Sequence, residues 1–223
     1  MMRTETLQLE TAGGATTAFV AMPDNTDNAK TVIVIHEWWG LNEQIKQTAQ
    51  RYAEEGFIAI APDLYRGVLA TKAEEASKLM HGLAIEDGLN TIESAIAKAR
   101  ETFGTSHFGI TGYCMGGTFT LRAACEIEGI SAAVPYYGDI PEDEVLQKLS
   151  VPVVFVSGIR DQWINPEKVA GLEASADKFG LEIDSLKYDA DHAFCNSTRP
   201  EVYHREAAED AWAKTVGFFN DKL

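Results

Sequence analysis

The sequence predicts an α/β protein with a mainly parallel central sheet, helices on both faces and an N-terminal hairpin. Three observations carry this expectation. After residue 30, short apolar runs alternate with amphipathic stretches, and strands that alternate with helices build a parallel sheet covered on both sides. Glycines 56, 104 and 180 each fall just after an amphipathic stretch, where a left-handed helix cap is expected. The segment Gly112-Tyr113-Cys114-Met115-Gly116-Gly117 follows an apolar run at 108–111. Its glycines suit a sharp turn from a buried strand into a helix, with one residue held at the tip in a strained conformation.

The elements follow in order. Alternating segments at 6–9 and 16–22, split by Gly13-Gly14, read as the opening hairpin. An apolar strand at 31–35 leads to a helix at 43–54, and a second strand at 57–61 precedes helices at 72–80 and 85–101. A strand at 107–111 enters the glycine-rich turn, and a helix at 115–125 leaves it. The remaining pattern gives strands at 132–136, 153–157 and 182–188, helices at 142–149 and 166–178, and a last helix at 201–220. No repeat, low-complexity segment or linker interrupts it, so residues 1–223 are expected to form one domain.

A chain of 223 residues with 45% hydrophobic and 24% charged residues can bury a core without staples. A net charge of −15 argues against nucleic acid and anionic membranes as partners. It leaves small molecules open, since one local basic group can outweigh the global field. Cys114, Cys125 and Cys195 are three scattered cysteines with no CxxC or zinc-like spacing. Free thiols in a reducing, cytoplasmic setting are therefore expected. The first residues are polar and charged, unlike a signal peptide, and the apolar stretch 31–35 is far too short to span a membrane. Metal hydrolysis is not expected, because His36-Glu37 lacks the second histidine of a zinc-binding helix. The glycine-rich turn also lacks the spacing of a nucleotide-binding loop.

In a sheet of this kind, ligands bind beyond the carboxyl ends of the strands. The residues there are His36-Glu37, Asp63, Cys114, Tyr137-Gly138-Asp139, Asp161 and Asp191-His192. Cys114, at the tip of the turn and at a helix N-terminus, is the candidate nucleophile. A cysteine nucleophile needs a base and a group to orient that base. Of five histidines, His107 begins a strand, His36 ends one, and His81 and His204 fall in expected helices; His192 lies in a loop after a strand. Asp161 is preferred as its orienting acid over Asp189 and Asp191, because residues adjacent in sequence rarely turn their side chains together. The order Cys114, Asp161, His192 is nucleophile, acid, histidine. The amides of Met115 and Trp38 are the candidate oxyanion donors.

These segments resemble the dienelactone hydrolase family, a branch of the α/β-hydrolase fold. The likeness rests on the Cys114 turn, His36-Glu37-Trp38-Trp39-Gly40, Ala61-Pro62-Asp63-Leu64-Tyr65 and Tyr136-Tyr137-Gly138. It extends to Gly158-Ile159-Arg160-Asp161, His192-Ala193-Phe194 and the segment from Arg199-Pro200-Glu201 to Trp212. The resemblance implies hydrolysis of small esters or lactones through a thioester on Cys114, with no cofactor and no metal. It also implies that Glu37 contacts the cysteine and helps to form its thiolate. The family's two carboxylate-binding arginines have no clear counterpart: Asn196 and Lys72-Ala73 stand near their places, with Arg66, Lys72 or Arg199 as substitutes. The expected pocket walls are Trp39, Tyr65, Tyr137, Trp163, Phe194 and Arg199, together with Trp38. The partner is thus a small ester or lactone, and the protein a monomer or homodimer. Two alternatives keep the cysteine: a broad thiol carboxylesterase or acyl transferase, and a redox-sensing binding protein with Cys195 as the resolving thiol.

Overall fold

The computed structural model describes residues 2–27 and 29–223; Met1 and Asn28, inside the expected single domain, lie outside the described residues. Its eight strands form one sheet, in the order β1-β2-β4-β3-β5-β6-β7-β8. They are β1 (Met2–Thr11), β2 (Gly14–Pro23), β3 (Thr31–Ile35), β4 (Ile58–Pro62), β5 (Phe108–Tyr113), β6 (Ile130–Tyr136), β7 (Val153–Gly158) and β8 (Ile183–Tyr188). The β1–β2 and β2–β4 pairs are antiparallel; β3 through β8 run parallel, as does β3 with β4. The helices are α1 (Glu43–Glu54), α2 (Ala73–Gly82), α3 (Ile85–Phe103), α4 (Met115–Glu126), α5 (Asp143–Leu146), α6 (Pro166–Phe179) and α7 (Arg205–Lys222).

Side chains on successive strand residues face opposite sides, and the core divides accordingly. Ile33, Ile35, Ile58 and Ile60 pack on one face with α3, α4 and α6. Val32, Val34, Ala59 and Ala61 pack on the other with α1 and α7. Both faces are therefore covered, which explains why these strands read as continuous apolar runs rather than alternating ones. Gly56, Gly104 and Gly180 all take positive φ, at 92°, 71° and 66°, and stop α1, α3 and α6.

Three elements depart from expectation. The hairpin is longer, and Thr11 pairs with Gly14 across Ala12-Gly13, so the turn lies one residue earlier than Gly13-Gly14. The helix expected at 142–149 is a single turn, because the amides of Lys148 and Leu149 bond to carbonyls three residues back and tighten the chain before Pro152. The last helix starts at Arg205 rather than 201. The amides of Val202 and Tyr203 turn back to the Arg199 carbonyl, and that of His204 bonds to Phe194. His204, expected inside the helix, caps it: its Nδ1 accepts from the Ala207 amide at 3.3 Å.

Candidate active site

The parallel strands end together, and their following loops meet around a cavity of about 580 Å³. Glu37 and Trp38 reach it from β3, Cys114 and Met115 from β5, Tyr137 and Asp139 from β6, Trp163 from β7 and His192 from β8.

Cys114 sits between β5 and α4 with φ 55° and ψ −117°. A non-glycine residue holds such angles only when its surroundings over-determine them. Here its amide donates to the Tyr136 carbonyl at 3.0 Å and its carbonyl accepts from Thr118 at 3.1 Å. The flanking glycines supply clearance. A Cβ on Gly116 would lie 2.6 Å from the His36 carbonyl oxygen, and one on Gly117 would lie 2.9 Å from Gly138 Cα. Backbone packed this closely leaves room for nothing larger, and the turn holds the thiol against the cavity.

His192 is nearly buried, and its Nδ1–H donates to Asp161 Oδ2 at 2.6 Å. Asp161 Oδ1 accepts from the amides of Trp163, at 2.8 Å, and Ile164, at 2.9 Å. Burial alone would push the Asp161 carboxyl up, but the hydrogen bond and charge of His192, with those two amides, hold it below its ordinary value. Asp189 and Asp191, the competing acids, are both paired with Arg160 instead.

Glu37 is buried, and its Oε2 accepts from Asn196 Nδ2 at 2.7 Å. Its Oε1 has no hydrogen-bond partner among the described residues. Burial raises the Glu37 carboxyl, against the Asn196 hydrogen bond and the charges of His192 and Arg199. The Cys114 thiol is pushed up to about 12, first by burial and then by the Glu37 carboxylate, with the Met115 amide acting the other way. Burial thus opposes the charged form of both groups.

Sequence reasoning passed over Asn196 except as the site of a missing arginine. Its Oδ1 accepts from the Thr198 amide at 3.0 Å and from Thr198 Oγ1 at 2.6 Å, which fixes the amide with Nδ2 toward Glu37. The signal available was the Asn-x-Thr spacing, which favours a local turn, but no sequence rule ties that turn to a residue 159 positions away.

Of the expected pocket walls, Trp38, Tyr137, Trp163 and Arg199 line the cavity, and Trp39, Tyr65 and Phe194 do not. Phe194 is fully buried in the core beside Tyr137 and Tyr188. Tyr65 is turned inward, its hydroxyl donating to Met115 Sδ at 3.0 Å. Trp39 stands edge-on behind Trp38. Of the basic substitutes, Arg66 is held by Asp87 and Lys72 is exposed before α2, and neither reaches the cavity. Arg199 does, while its Nε donates to Glu201 at 2.8 Å. Cys195 lines a separate cavity of about 230 Å³ with Gln44, Arg51 and Tyr203. Burial pushes its thiol well above the ordinary range, which suits an unreactive side chain more than a resolving thiol.

Among the described residues, no helix is long and apolar enough to cross a membrane. No group of three or more His, Cys, Asp or Glu side chains is placed to hold a metal ion there.

Comparison with known proteins agrees with this architecture. Residues 16–223 match the model of the dienelactone hydrolase family. The chain is 36% identical over 206 residues to the protein usf of Aquifex pyrophilus, covering 86% of this chain and 88% of the relative. A protein of Aquifex aeolicus that carries the name carboxymethylenebutenolidase is 31% identical, with 97% and 98% covered. A dienelactone hydrolase-type crystal structure from Klebsiella pneumoniae superposes with a TM-score of 0.91 at 26% identity, covering 99% of each chain. The chain belongs to the dienelactone hydrolase family, and is a hydrolase of the lactone and ester class that the family name denotes.

Proposed function

We propose that the protein cleaves small carboxylic esters or lactones through a thioester formed on Cys114. The observation that carries this reading is the shared cavity of Cys114 and His192, with the His192 ring fixed by Asp161 at 2.6 Å. In the proposed reaction His192 takes the thiol proton as sulfur attacks the carbonyl carbon. The carbonyl electron pair moves to oxygen, where the amides of Met115 and Trp38 receive it. Met115 is the first residue of α4 and has no helical carbonyl one turn before it. As the tetrahedral adduct collapses, the proton on His192 passes to the leaving alkoxide. Water then attacks the thioester by the same route, releasing the acid.

Glu37 is assigned to gating the thiol. The Glu37 carboxylate opposes ionisation of the neighbouring thiol and so protects Cys114 between turnovers, and a substrate that displaces Glu37 lets the thiolate form. The cavity suits a small substrate with apolar or aromatic parts, given Met80, Leu83, Phe119 and Trp163 in its lining. No cofactor or metal takes part in this scheme.

The test is turnover of p-nitrophenyl acetate and a lactone panel, with intact mass spectrometry of acid-quenched enzyme. An acyl mass added to the parent and absent from Cys114→Ala supports the reading. Equal turnover by the parent and Cys114→Ala sinks it. Added alcohols or thiols that capture the acyl group in preference to water would move the assignment toward acyl transfer.

A further inference from the structure

His36 is fully buried and does not line the cavity, yet both of its ring nitrogens are engaged. Nε2 lies 3.1 Å from the Leu64 amide, and Nδ1 lies 2.6 Å from the Glu37 carbonyl oxygen. An amide N–H can only donate, so Nε2 carries the lone pair and Nδ1 carries the proton. The ring therefore donates to the Glu37 carbonyl, which also receives the Gly40 amide at 3.2 Å. Burial lowers the His36 pKa, which keeps the ring in this neutral form.

The Glu37–Trp38 peptide is trans, so its C=O and N–H point in opposite directions. Its carbonyl faces His36 and the protein interior. Its N–H then points away from His36, and Glu37 and Trp38 both line the cavity. Consistent with this, the Trp38 amide has no backbone acceptor among the described residues.

We infer that His36 is a positioning residue for the oxyanion site: by holding the Glu37 carbonyl, it locks this peptide plane with the Trp38 N–H aimed at the substrate oxygen. The inference rests on the thioester reading above. A donor that is aimed beforehand needs no reorganisation as charge develops, and that is where its catalytic value lies.

Two conservative variants separate this role from a structural one. In His36→Asn, the side-chain amide nitrogen falls near the place of Nδ1 and keeps a donor for Glu37, while nothing remains to accept from Leu64. In His36→Gln, the amide oxygen falls near Nε2 and can accept from Leu64, while the donor to Glu37 is lost. Loss of the aimed amide predicts that His36→Gln lowers kcat about 100-fold with KM little changed, and that His36→Asn stays within about tenfold of the parent. Affinity for a trifluoromethyl ketone, whose hemithioketal oxyanion uses the same amides, falls in step with kcat/KM, while alkylation of Cys114 by iodoacetamide is unchanged. The reverse order, with Asn the worse variant, makes His36 only a brace between loops and overturns the inference. Unchanged ketone affinity in His36→Gln does the same.

If either variant fails to fold, nitrogen-15 NMR of the parent decides the question. A ring protonated at Nδ1, with the Trp38 amide proton moving downfield on ketone binding, supports the inference. A ring protonated at Nε2, or an unmoved Trp38 amide, overturns it. A parent that forms no adduct on Cys114 with either ester or ketone overturns the thioester reading and this inference together. An adduct-forming parent with the reverse variant order overturns the inference alone.

Discussion

Asn196 Nδ2 donates to Glu37 Oε2 at 2.7 Å, while Thr198 occupies the Asn196 oxygen from its amide and its hydroxyl. The carboxyl that shares the cavity with Cys114 is thus held by a neutral amide that cannot rotate without losing two hydrogen bonds. A cation in that place would favour the carboxylate strongly; an amide favours it only weakly, so burial prevails and the Glu37 carboxyl is raised.

Glu37→Gln is expected to separate thiol reactivity from turnover. The Glu37 carboxylate is the second cause, after burial, of the high Cys114 value of about 12. Removing it lowers that value, and each unit of lowering gives about tenfold more thiolate at a fixed neutral pH. Alkylation of Cys114 therefore speeds up at pH 8 while ester turnover falls; slower alkylation would reject the gating role. The same variant has a signature in stability. A carboxyl raised in the folded state stays protonated where the unfolded chain has lost its proton. Its stabilising contribution is present below the ordinary carboxylate range and is lost as pH rises through the folded value. Denaturation midpoints of Glu37→Gln are expected to fall less than those of the parent across that window.

Asp161→Asn tests the orientation of His192. Asp161 Oδ1 accepts two backbone amides, so an asparagine must keep its oxygen there and turn its NH₂ toward His192. Nδ1 of the ring then has to accept, and the proton moves to Nε2, where the thiol proton should be received. Loss of this tautomer is expected to lower kcat by about 10³- to 10⁴-fold. A variant within tenfold of the parent would remove Asp161 from the scheme. In the parent, the lowered Asp161 carboxyl acts opposite to Glu37: its contribution is present above the ordinary carboxylate value and is lost as pH falls through the folded value.

Much of this arrangement was legible in the sequence because it depends on local pattern. The continuous runs of β3 and β4 carry the parallel sheet, and the three glycines around Cys114 carry the turn. Sequence reasoning set Asp161 beside His192 and discarded Asp189 and Asp191; in the fold the first pair is 2.6 Å apart and the other two aspartates belong to Arg160. Legibility ended where contacts are long-range or where one residue type suits two environments. Tyr65 and Phe194 follow strand ends, as pocket residues do, but an aromatic side chain satisfies a core position equally well. Asn196 bonds to Glu37 and His36 to the Leu64 amide, contacts between segments far apart in sequence that no periodicity reports. The single-turn α5 shows a third limit, since its amphipathic pattern continues while its hydrogen bonds tighten.

Trp163→Ala is expected to change substrate binding with little effect on the fold. Trp163 is 66% exposed, and its ring stands edge-on to His192 with centroids 4.9 Å apart. Its amide, held by Asp161, remains in the variant. Stability is therefore expected within about 0.5 kcal/mol of the parent. Loss of an aromatic edge contact worth about 0.5–1.5 kcal/mol corresponds to a KM for aryl esters raised about two- to tenfold. A KM unchanged for aryl and alkyl esters alike would place Trp163 outside the substrate path.

Gly116→Ala reverses the usual sign of its substitution. Alanine within a helix is ordinarily better than glycine by about 0.5–1 kcal/mol. At Gly116, in the first turn of α4, the added Cβ would lie against the Ile35 carbonyl and 2.6 Å from the His36 carbonyl. Both are backbone atoms of the strand end that leads to Glu37, and neither can move without carrying the candidate oxyanion loop with it. Overpacking of this kind costs about 1–3 kcal/mol or more, which outweighs the helical gain. Gly171, exposed on α6, has open space where a Cβ would stand, with nothing within 4 Å. Gly171→Ala is therefore the matched control and is expected to be neutral or stabilising. Urea denaturation of the two variants beside the parent checks the argument. If Gly116→Ala matches Gly171→Ala in stability, the close packing of α4 on β3 is not what holds the Cys114 turn in place.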